Sequence, residues 1–321
     1  MKLMVCHGLA LGELPGVDLP AVKIASWQAD KVSALQASIR AAVAAGAEAC
    51  LLAGGTFADG FVSQETYEGA CNAMASSDIP ICCLLKGGEA EGIEGRVELP
   101  SNVELVRVPT DSTVELGIGL VAWNLVDGRA PEEVARTAHA PSIVLGDFGA
   151  VLCSDGLIYG IGPLEPSSFS DQTASGYLLC EVDDGGISGF EWVKRAEHPY
   201  VLKTVLLDEA ESSKEAIVTV GNAVKDCERA AFLRIELHGK LPLDVYVNAD
   251  ELAARLGEYF SYVEVADFCT LDINVDELGA DVSLLAEFVR QVSGDDSLSE
   301  TEKTRIVRCG WNALNGKETV E

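Results

Sequence analysis

The spacing of its short apolar runs constrains this chain more than any other feature of the sequence. In the first part of the chain these runs lie at Lys2–Cys6, Ala49–Ala53, Ile79–Leu85, Val103–Val108 and Gly119–Trp123. Continuous apolar runs of this length are typical of strands that are buried on both faces of a sheet. Between the first two runs, apolar residues recur at three- and four-residue steps and predict a helix from Asp30 to Gly46. The first part of the chain therefore predicts an α/β fold.

The pattern changes after about residue 130. Strand-like runs separated by Gly, Asp and Ser then predict a second sheet, at Ser142–Gly146, Leu157–Gly160, Gly176–Val182 and Phe190–Lys194. From Val201 to Phe268 strands and helices alternate again, which predicts a small α+β domain. Two helical patterns, Val282–Val292 and Thr301–Leu314, close the chain. We therefore expect domains at 1–200 and 201–275, followed by a helical segment at 276–321.

The charge of the chain argues against independent binding of nucleic acid. Its 321 residues include 51 acidic and 23 basic side chains, so the formal net charge is -28. Such a field repels polyanions, and DNA contact is expected to be weak or indirect. No apolar run reaches the roughly 18 residues of a membrane span, and the N-terminal segment does not resemble a secretory signal. We expect a cytoplasmic protein whose ten cysteines are reduced and mostly buried.

Loop motifs after the strands carry a resemblance to a known family. The segments KLMVCHGLALG, ACLLAGGTFADG, ICCLLKGGEAE and IVLGDFGAV are similar to the strand-loop motifs of calcineurin-like metallophosphoesterases. The match is to the SbcD/YhaO-type DNA repair exonuclease subunits, which work with an SMC-like ABC ATPase. A later segment, AFLRIELHGKLPLDVYV, resembles the start of their capping domain. The resemblance implies a four-layer α/β/β/α sandwich with a small α+β capping domain and C-terminal helices.

The family's metal ligands are replaced in this sequence. Members of the family hold two divalent metals with Asp, His and Asn side chains that follow the strands. The corresponding positions here are Gly8, Ala10, Gly55, Gly88, Glu89, Asp147 and Gly149. Glycine and alanine offer no side-chain donor atoms, so the resemblance implies a degenerate centre with no catalytic residues and no metal cofactor. The resulting expectation is a pseudoenzyme that acts as a scaffold.

Other interpretations of the same residues stay open. Glu89, Glu91 and Asp147 could form a carboxylate site for Mn²⁺ or Mg²⁺, which would make the chain an active phosphodiesterase or nuclease. In so acidic a chain they could equally be solvated charges. Without the family comparison, the glycines are tight turns that need positive φ, or a cradle for phosphate. His7 is either a residual ligand or base, or a packed side chain.

The last helical pattern, Thr301–Leu314, is a candidate surface for binding a partner protein. Ile306, Trp311 and Leu314 give it a partly apolar face, beside basic residues. Such a face packs on its own domain or binds a partner helix. The resemblance implies that this segment docks an SMC-like ABC ATPase, and a homodimer is a second expectation. A small-ligand or protein-binding module unconnected with DNA is the remaining alternative.

Overall fold

The chain forms two compact units, Met1–Pro199 and Tyr200–Glu321. The computed structural model describes residues 1–86, 89, 93, 96–110, 112–124, 133, 140–146, 149–154, 157–171, 174–183, 186–272 and 283–314. The second unit includes both the segment predicted as capping-like and the C-terminal helices. The expected boundary between those two, at 275 and 276, lies outside the described residues.

The first unit contains two β-sheets. Its strands are β1 (Lys2–Cys6), β2 (Ala49–Ala53), β3 (Ile81–Leu85), β4 (Val103–Arg107), β5 (Ser112–Leu116), β6 (Leu120–Asn124), β7 (Ser142–Gly146), β8 (Gly149–Ser154), β9 (Leu157–Ile161), β10 (Gly176–Asp183) and β11 (Gly186–Lys194). The six-stranded sheet has the order β11-β10-β1-β2-β3-β4, with β1 to β4 parallel. The five-stranded sheet has the order β5-β6-β7-β8-β9, and only β6 and β7 in it are parallel. The carboxyl ends of β1, β2 and β3 therefore meet at one edge.

Helices cover one face of the six-stranded sheet and the second sheet covers the other. On the helical side, Leu35 of α1 (Ala21–Ala44) and Met74 of α2 (Gln64–Met74) pack with Met4 of β1. On the opposite side, Leu3 and Val5 pack against residues of β7 and β8. Burial on both faces explains why these strands are continuous apolar runs. The unit is thus an α/β sandwich, as predicted from the sequence.

The outer helical layer of the predicted four-layer sandwich falls on residues that are mostly not described. Val144 and Val151, on the other face of the second sheet, form a small buried cluster with Cys153. Of residues 125–139, between β6 and β7, only Glu133 is described. The described residues show three layers, and the fourth stays a prediction.

The helix predicted to start at Asp30 is longer than expected. Helix α1 begins at Ala21, directly after Pro20, and its buried face starts at Trp27. The prediction of its start was wrong because the first turns of the helix bury little: of residues 21–29, only Trp27 is buried, so they show no apolar periodicity. Strands β5 and β8 were not predicted as separate elements either. Each pairs with the neighbouring strand in a local antiparallel hairpin.

The second unit is built around a small parallel sheet. Its elements are β12 (Tyr200–Leu206), α3 (Ser213–Val224), β13 (Phe232–His238), β14 (Lys240–Leu241), α4 (Ala249–Leu256), β15 (Tyr262–Asp267), β16 (Thr270–Leu271), α5 (Leu284–Ser293) and α6 (Glu300–Leu314). The main sheet has the order β12-β13-β15, and β14 pairs with β16. Helices α3 and α4 each begin at a side-chain cap, Ser212 and Asn248 respectively. Within the described ranges, no helix combines the length and apolar character that crossing a bilayer requires.

Two helical glycines provide a test of the packing in this unit. A Cβ at Gly221 of α3 would meet no atom within 4 Å, whereas a Cβ at Gly310 of α6 would overlap the Phe288 ring on α5. We expect Gly221→Ala to raise the free energy of unfolding by about 1 kcal/mol, because alanine favours a helix over glycine. We expect Gly310→Ala to lower it by about 1 kcal/mol or more, because the overlap outweighs that gain.

Urea unfolding followed by circular dichroism measures both changes, with Gly221→Ala as the matched control. Equal stabilisation by the two substitutions would contradict the close packing of α5 on α6.

Candidate functional site

The loops that follow β1 and β2 are joined to each other by main-chain hydrogen bonds. Gly8 N donates to the Gly54 carbonyl (3.2 Å), and Ala10 N donates to the Gly55 carbonyl (2.7 Å). All four residues have positive φ, between 45° at Ala10 and 78° at Gly54. This is the left-handed region that glycine enters at little cost. The glycines predicted as former ligand positions are therefore also required by the backbone of these two turns.

The imidazole of His7 occupies the space between the glycine positions. Its Nδ1 donates to the Ala53 carbonyl (2.9 Å), which assigns the proton to that nitrogen. A Cβ at Gly149 would lie 3.3 Å from His7 Nε2, and a Cβ at Gly55 would lie 3.4 Å from His7 Cε1. Burial lowers the pKa of His7, and the positive charge of Lys86 lowers it further. The ring is therefore neutral at pH 7 and fills the corner where larger side chains would otherwise lie.

A lysine is the second side chain at the carboxyl ends of these strands. Lys86 follows β3, and its Nζ donates to the carbonyl of Gly146 at the end of β7 (2.8 Å). Its Cε would lie 3.4 Å from a Cβ at Gly54. A fixed positive charge at this edge repels divalent cations. Lys86 was not among the predicted site residues, although a lysine directly after the apolar run ICCLL is a visible signal in the sequence.

Glu89 is a buried carboxylate that connects two loops. Its side chain accepts hydrogen bonds from the main-chain N–H groups of Phe57 (3.1 Å) and Lys86 (2.9 Å), and it is 3% exposed. The main-chain amides of Gly55 and Thr56 also donate hydrogen bonds to the Glu89 carboxylate. Burial raises the pKa of Glu89, while these hydrogen bonds act in the opposite direction by stabilising the anion. The geometry gives Glu89 a structural role that ties the loop after β2 to the end of β3.

The described residues at the corresponding positions do not fit the pair of divalent metals that the resemblance implies. Gly8, Ala10, Gly55 and Gly149 have no side-chain donors, and the Glu89 oxygens are engaged by main-chain amides. Gly88, Glu91 and Asp147 lie outside the described residues, so the carboxylate set of Glu89, Glu91 and Asp147 stays a prediction, as does its Mn²⁺ or Mg²⁺. Among the residues that are described, no three His, Cys, Asp or Glu side chains are arranged to hold a metal.

A cleft opens beside these loops. Its volume is about 910 Å³, and its lining includes His7, Gly8, Gly149, Tyr159, Ser167 and Trp192. Part of its wall is a serine-rich loop from which Ser167, Ser168, Ser170 and Asp171 line the cleft. In this loop the Asp171 carboxylate accepts the N–H groups of Ser167 (2.7 Å) and Ser168 (3.1 Å). The cleft thus combines apolar walls with hydroxyl and carboxylate groups, which is typical of a small-molecule site.

A buried lysine contacts the serine-rich loop. Lys31 of α1 is 2% exposed, and its Nζ donates to Ser167 Oγ (2.7 Å). The nitrogen also lies 4.2 Å from the centre of the Trp27 ring. Burial lowers the pKa of Lys31 to about 8, although the charges of Glu13, Glu165 and Asp171 act to raise it. Lys31 was not predicted as a site residue because a lysine on a buried helix face breaks the apolar periodicity by which that face is recognised.

The C-terminal helix α6 divides its apolar residues between its own unit and solvent. Val307 is buried in a cluster with Val289 and Val292 of α5. Ile306 is 36% exposed and Leu314 is 51% exposed, while Trp311 is partly buried. The residues predicted to bind a partner therefore lie on a helix that already packs on its own unit, with Ile306 and Leu314 still accessible on it.

The buried carboxylate gives a testable consequence. We expect Glu89→Ala to lower the free energy of unfolding by about 3 kcal/mol, because it leaves buried N–H groups without acceptors. Chemical unfolding of the two proteins measures the change. Glu98→Ala, at an exposed position, is the matched control and is expected to stay within about 0.5 kcal/mol of the unaltered protein. Equal effects of the two substitutions would refute the bridging role.

Comparison with known proteins does not identify the function of this chain. The sequence matches no family model, and no curated protein is similar to it. The resemblance to metallophosphoesterases therefore rests on the loop motifs quoted above. The chemistry has to be argued from the side chains at the strand ends and in the cleft.

Proposed function

We propose that this chain is a relative of the SbcD/YhaO-type exonuclease subunits that has no nuclease activity and keeps the metallophosphoesterase-like fold as a scaffold. The observation that supports the proposal is the set of side chains found at the carboxyl ends of β1, β2 and β3. These side chains are the neutral imidazole of His7 and the ammonium group of Lys86, and the residues around them are glycines. Metal-dependent phosphoester hydrolysis needs carboxylate and imidazole ligands around two cations.

Electrostatics and sterics both disfavour metal binding at this corner. The Lys86 ammonium places a positive charge at the edge where the two cations would have to bind. Restoring an aspartate at Gly55 would bring its Cβ to 3.2 Å from Gly8 Cα, in a backbone conformation with φ of 63°. The loops have therefore closed around the space that side-chain ligands would need.

The proposed scaffold acts in the cytoplasm with an SMC-like ABC ATPase. A net charge of -28 disfavours contact with a DNA backbone, so basic surface for DNA would come from the partner. Ile306 and Leu314 of α6 supply accessible apolar contacts that suit a coiled-coil helix. Self-association into a homodimer is compatible with this role.

Metal content tests the loss of catalysis. After equilibration with Mn²⁺ and removal of free metal, we expect substoichiometric manganese by mass spectrometry, because the corner lacks ligands. We also expect no hydrolysis of bis-p-nitrophenyl phosphate above the buffer rate. A metal-dependent phosphodiesterase treated in the same way serves as the control. Retention of two ions together with hydrolysis would refute the proposal and support the active nuclease instead.

Binding of the ATPase tests the scaffold role. We expect the purified chain to form a complex with the coiled-coil ATPase subunit of the same organism, measured by light scattering after size exclusion. Replacing Ile306 and Leu314 together by Glu should weaken the complex at least about tenfold, because charge disrupts an apolar contact. Val218→Glu, at an exposed apolar position on α3, is the matched control. Absence of a complex, or equal weakening by the control, would count against the role.

A further inference from the structure

The serine loop in the cleft wall and the buried lysine that contacts it form a group of side chains separate from the corner at the ends of β1, β2 and β3. We propose that Ser167 is a nucleophile activated by Lys31, and that the pair cleaves carboxylic esters bound in the cleft. The proposal rests on the 2.7 Å hydrogen bond between Lys31 Nζ and Ser167 Oγ and on the position of Ser167 in the cleft wall. A serine activated by an adjacent base is a recurrent arrangement for acyl transfer, and lysine serves as that base in some enzymes.

The main chain holds Ser167 in a fixed position. Its N–H donates to the Asp171 carboxylate (2.7 Å), and its carbonyl accepts the N–H of Gly16 (2.8 Å). A Cβ at Gly16 would lie 2.7 Å from Ser168 Cβ, so only glycine allows this close approach of the two loops. A nucleophile that is fixed before substrate binds loses little entropy in the reaction.

The surroundings of Lys31 suit a base that takes up a proton and later returns it. Burial lowers the pKa of Lys31 to about 8, so a substantial fraction is neutral amine at slightly alkaline pH. The charged groups that face it are the carboxylates of Glu13, Glu165 and Asp171. Together with the Trp27 ring face, these groups stabilise the ammonium that forms when Lys31 accepts the serine proton.

The reaction proceeds in two balanced steps. In the first, Ser167 Oγ forms a bond to the ester carbonyl carbon as its proton passes to Lys31 Nζ. The bond from that carbon to the alkoxy oxygen then breaks, and the departing oxygen takes the proton from Lys31 as the alcohol. In the second, water gives a proton to Lys31, attacks the acyl group and releases the carboxylic acid, while Ser167 Oγ recovers a proton from Lys31.

The cleft indicates the class of ester. Leu14, Ile161 and Trp192 supply apolar walls that suit an acyl chain or an aromatic group. Glu13 and Asp171 also border the cleft and repel anionic groups. Strand β9 forms another wall and lies at the edge of its sheet, where a substrate carbonyl can pair with main-chain N–H groups. Neutral or cationic esters are therefore the expected substrates.

A fluorophosphonate probe tests the nucleophile on the full chain, because serine attack on phosphorus expels fluoride and leaves a stable adduct. We expect labelling at Ser167, located by peptide mass spectrometry, and loss of that adduct in Ser167→Ala. Ser33→Ala, at an exposed position on α1, is the control and should label at the unaltered rate. Hydrolysis of p-nitrophenyl butyrate should follow the same pattern. Absence of an adduct at Ser167 would overturn the proposal.

The role of Lys31 needs a separate readout, because replacing a buried lysine can also unfold the protein. Lys31→Arg keeps the positive charge but does not give up its proton, so labelling should slow at least about 100-fold. In the unaltered protein the labelling rate should rise with pH, with a midpoint near 8. A rate that is unchanged in folded Lys31→Arg, or that is flat between pH 6 and about 9.5 in the unaltered protein, would overturn the assignment of Lys31 as the base.

Discussion

The burial of the parallel strands on both faces is the constraint on which the rest of the first unit depends. Strands β1, β2 and β3 lie between helices α1 and α2 on one side and the five-stranded sheet on the other. Side chains on both faces of these strands must therefore be apolar, and polar chemistry is confined to the loops at their ends. The same constraint places His7, Lys86 and Glu89 together, because each follows or lies close to the carboxyl end of one of these strands.

Hydrogen bonds within the protein join the loops at this edge. Main-chain hydrogen bonds join the loop of Gly8 and Ala10 to that of Gly54 and Gly55, and the Glu89 carboxylate binds amides from the ends of two strands. In a two-metal enzyme, cations and their ligands hold such loops in place. Here neutral hydrogen bonds and one buried anion do so. The glycines consequently have a structural role of their own, because their positive φ allows the two loops to join.

The strands of the six-stranded sheet could be predicted from the sequence because their apolar runs reflect burial that is local in sequence. The contents of the site could not, since its key contacts join distant residues. Glu89 reaches the amide of Phe57, and Lys86 reaches the carbonyl of Gly146. Lys31 escaped detection because a lysine breaks the apolar periodicity by which a buried helix face is recognised. Long-range polar contacts leave no pattern in a single sequence.

The charges around the cleft distinguish the two kinds of hydrolysis that such a fold could support. A phosphodiester is an anion, and its cleavage depends on cations that neutralise charge in the transition state. The carboxylates of Glu13 and Asp171 border the cleft and oppose the entry of that anion. A carboxylic ester is neutral, and its cleavage needs only a positioned nucleophile and a base, which Ser167 and Lys31 can supply. The lack of side-chain donors at Gly8, Ala10, Gly55 and Gly149 is therefore compatible with a cleft that is chemically active toward a different class of substrate.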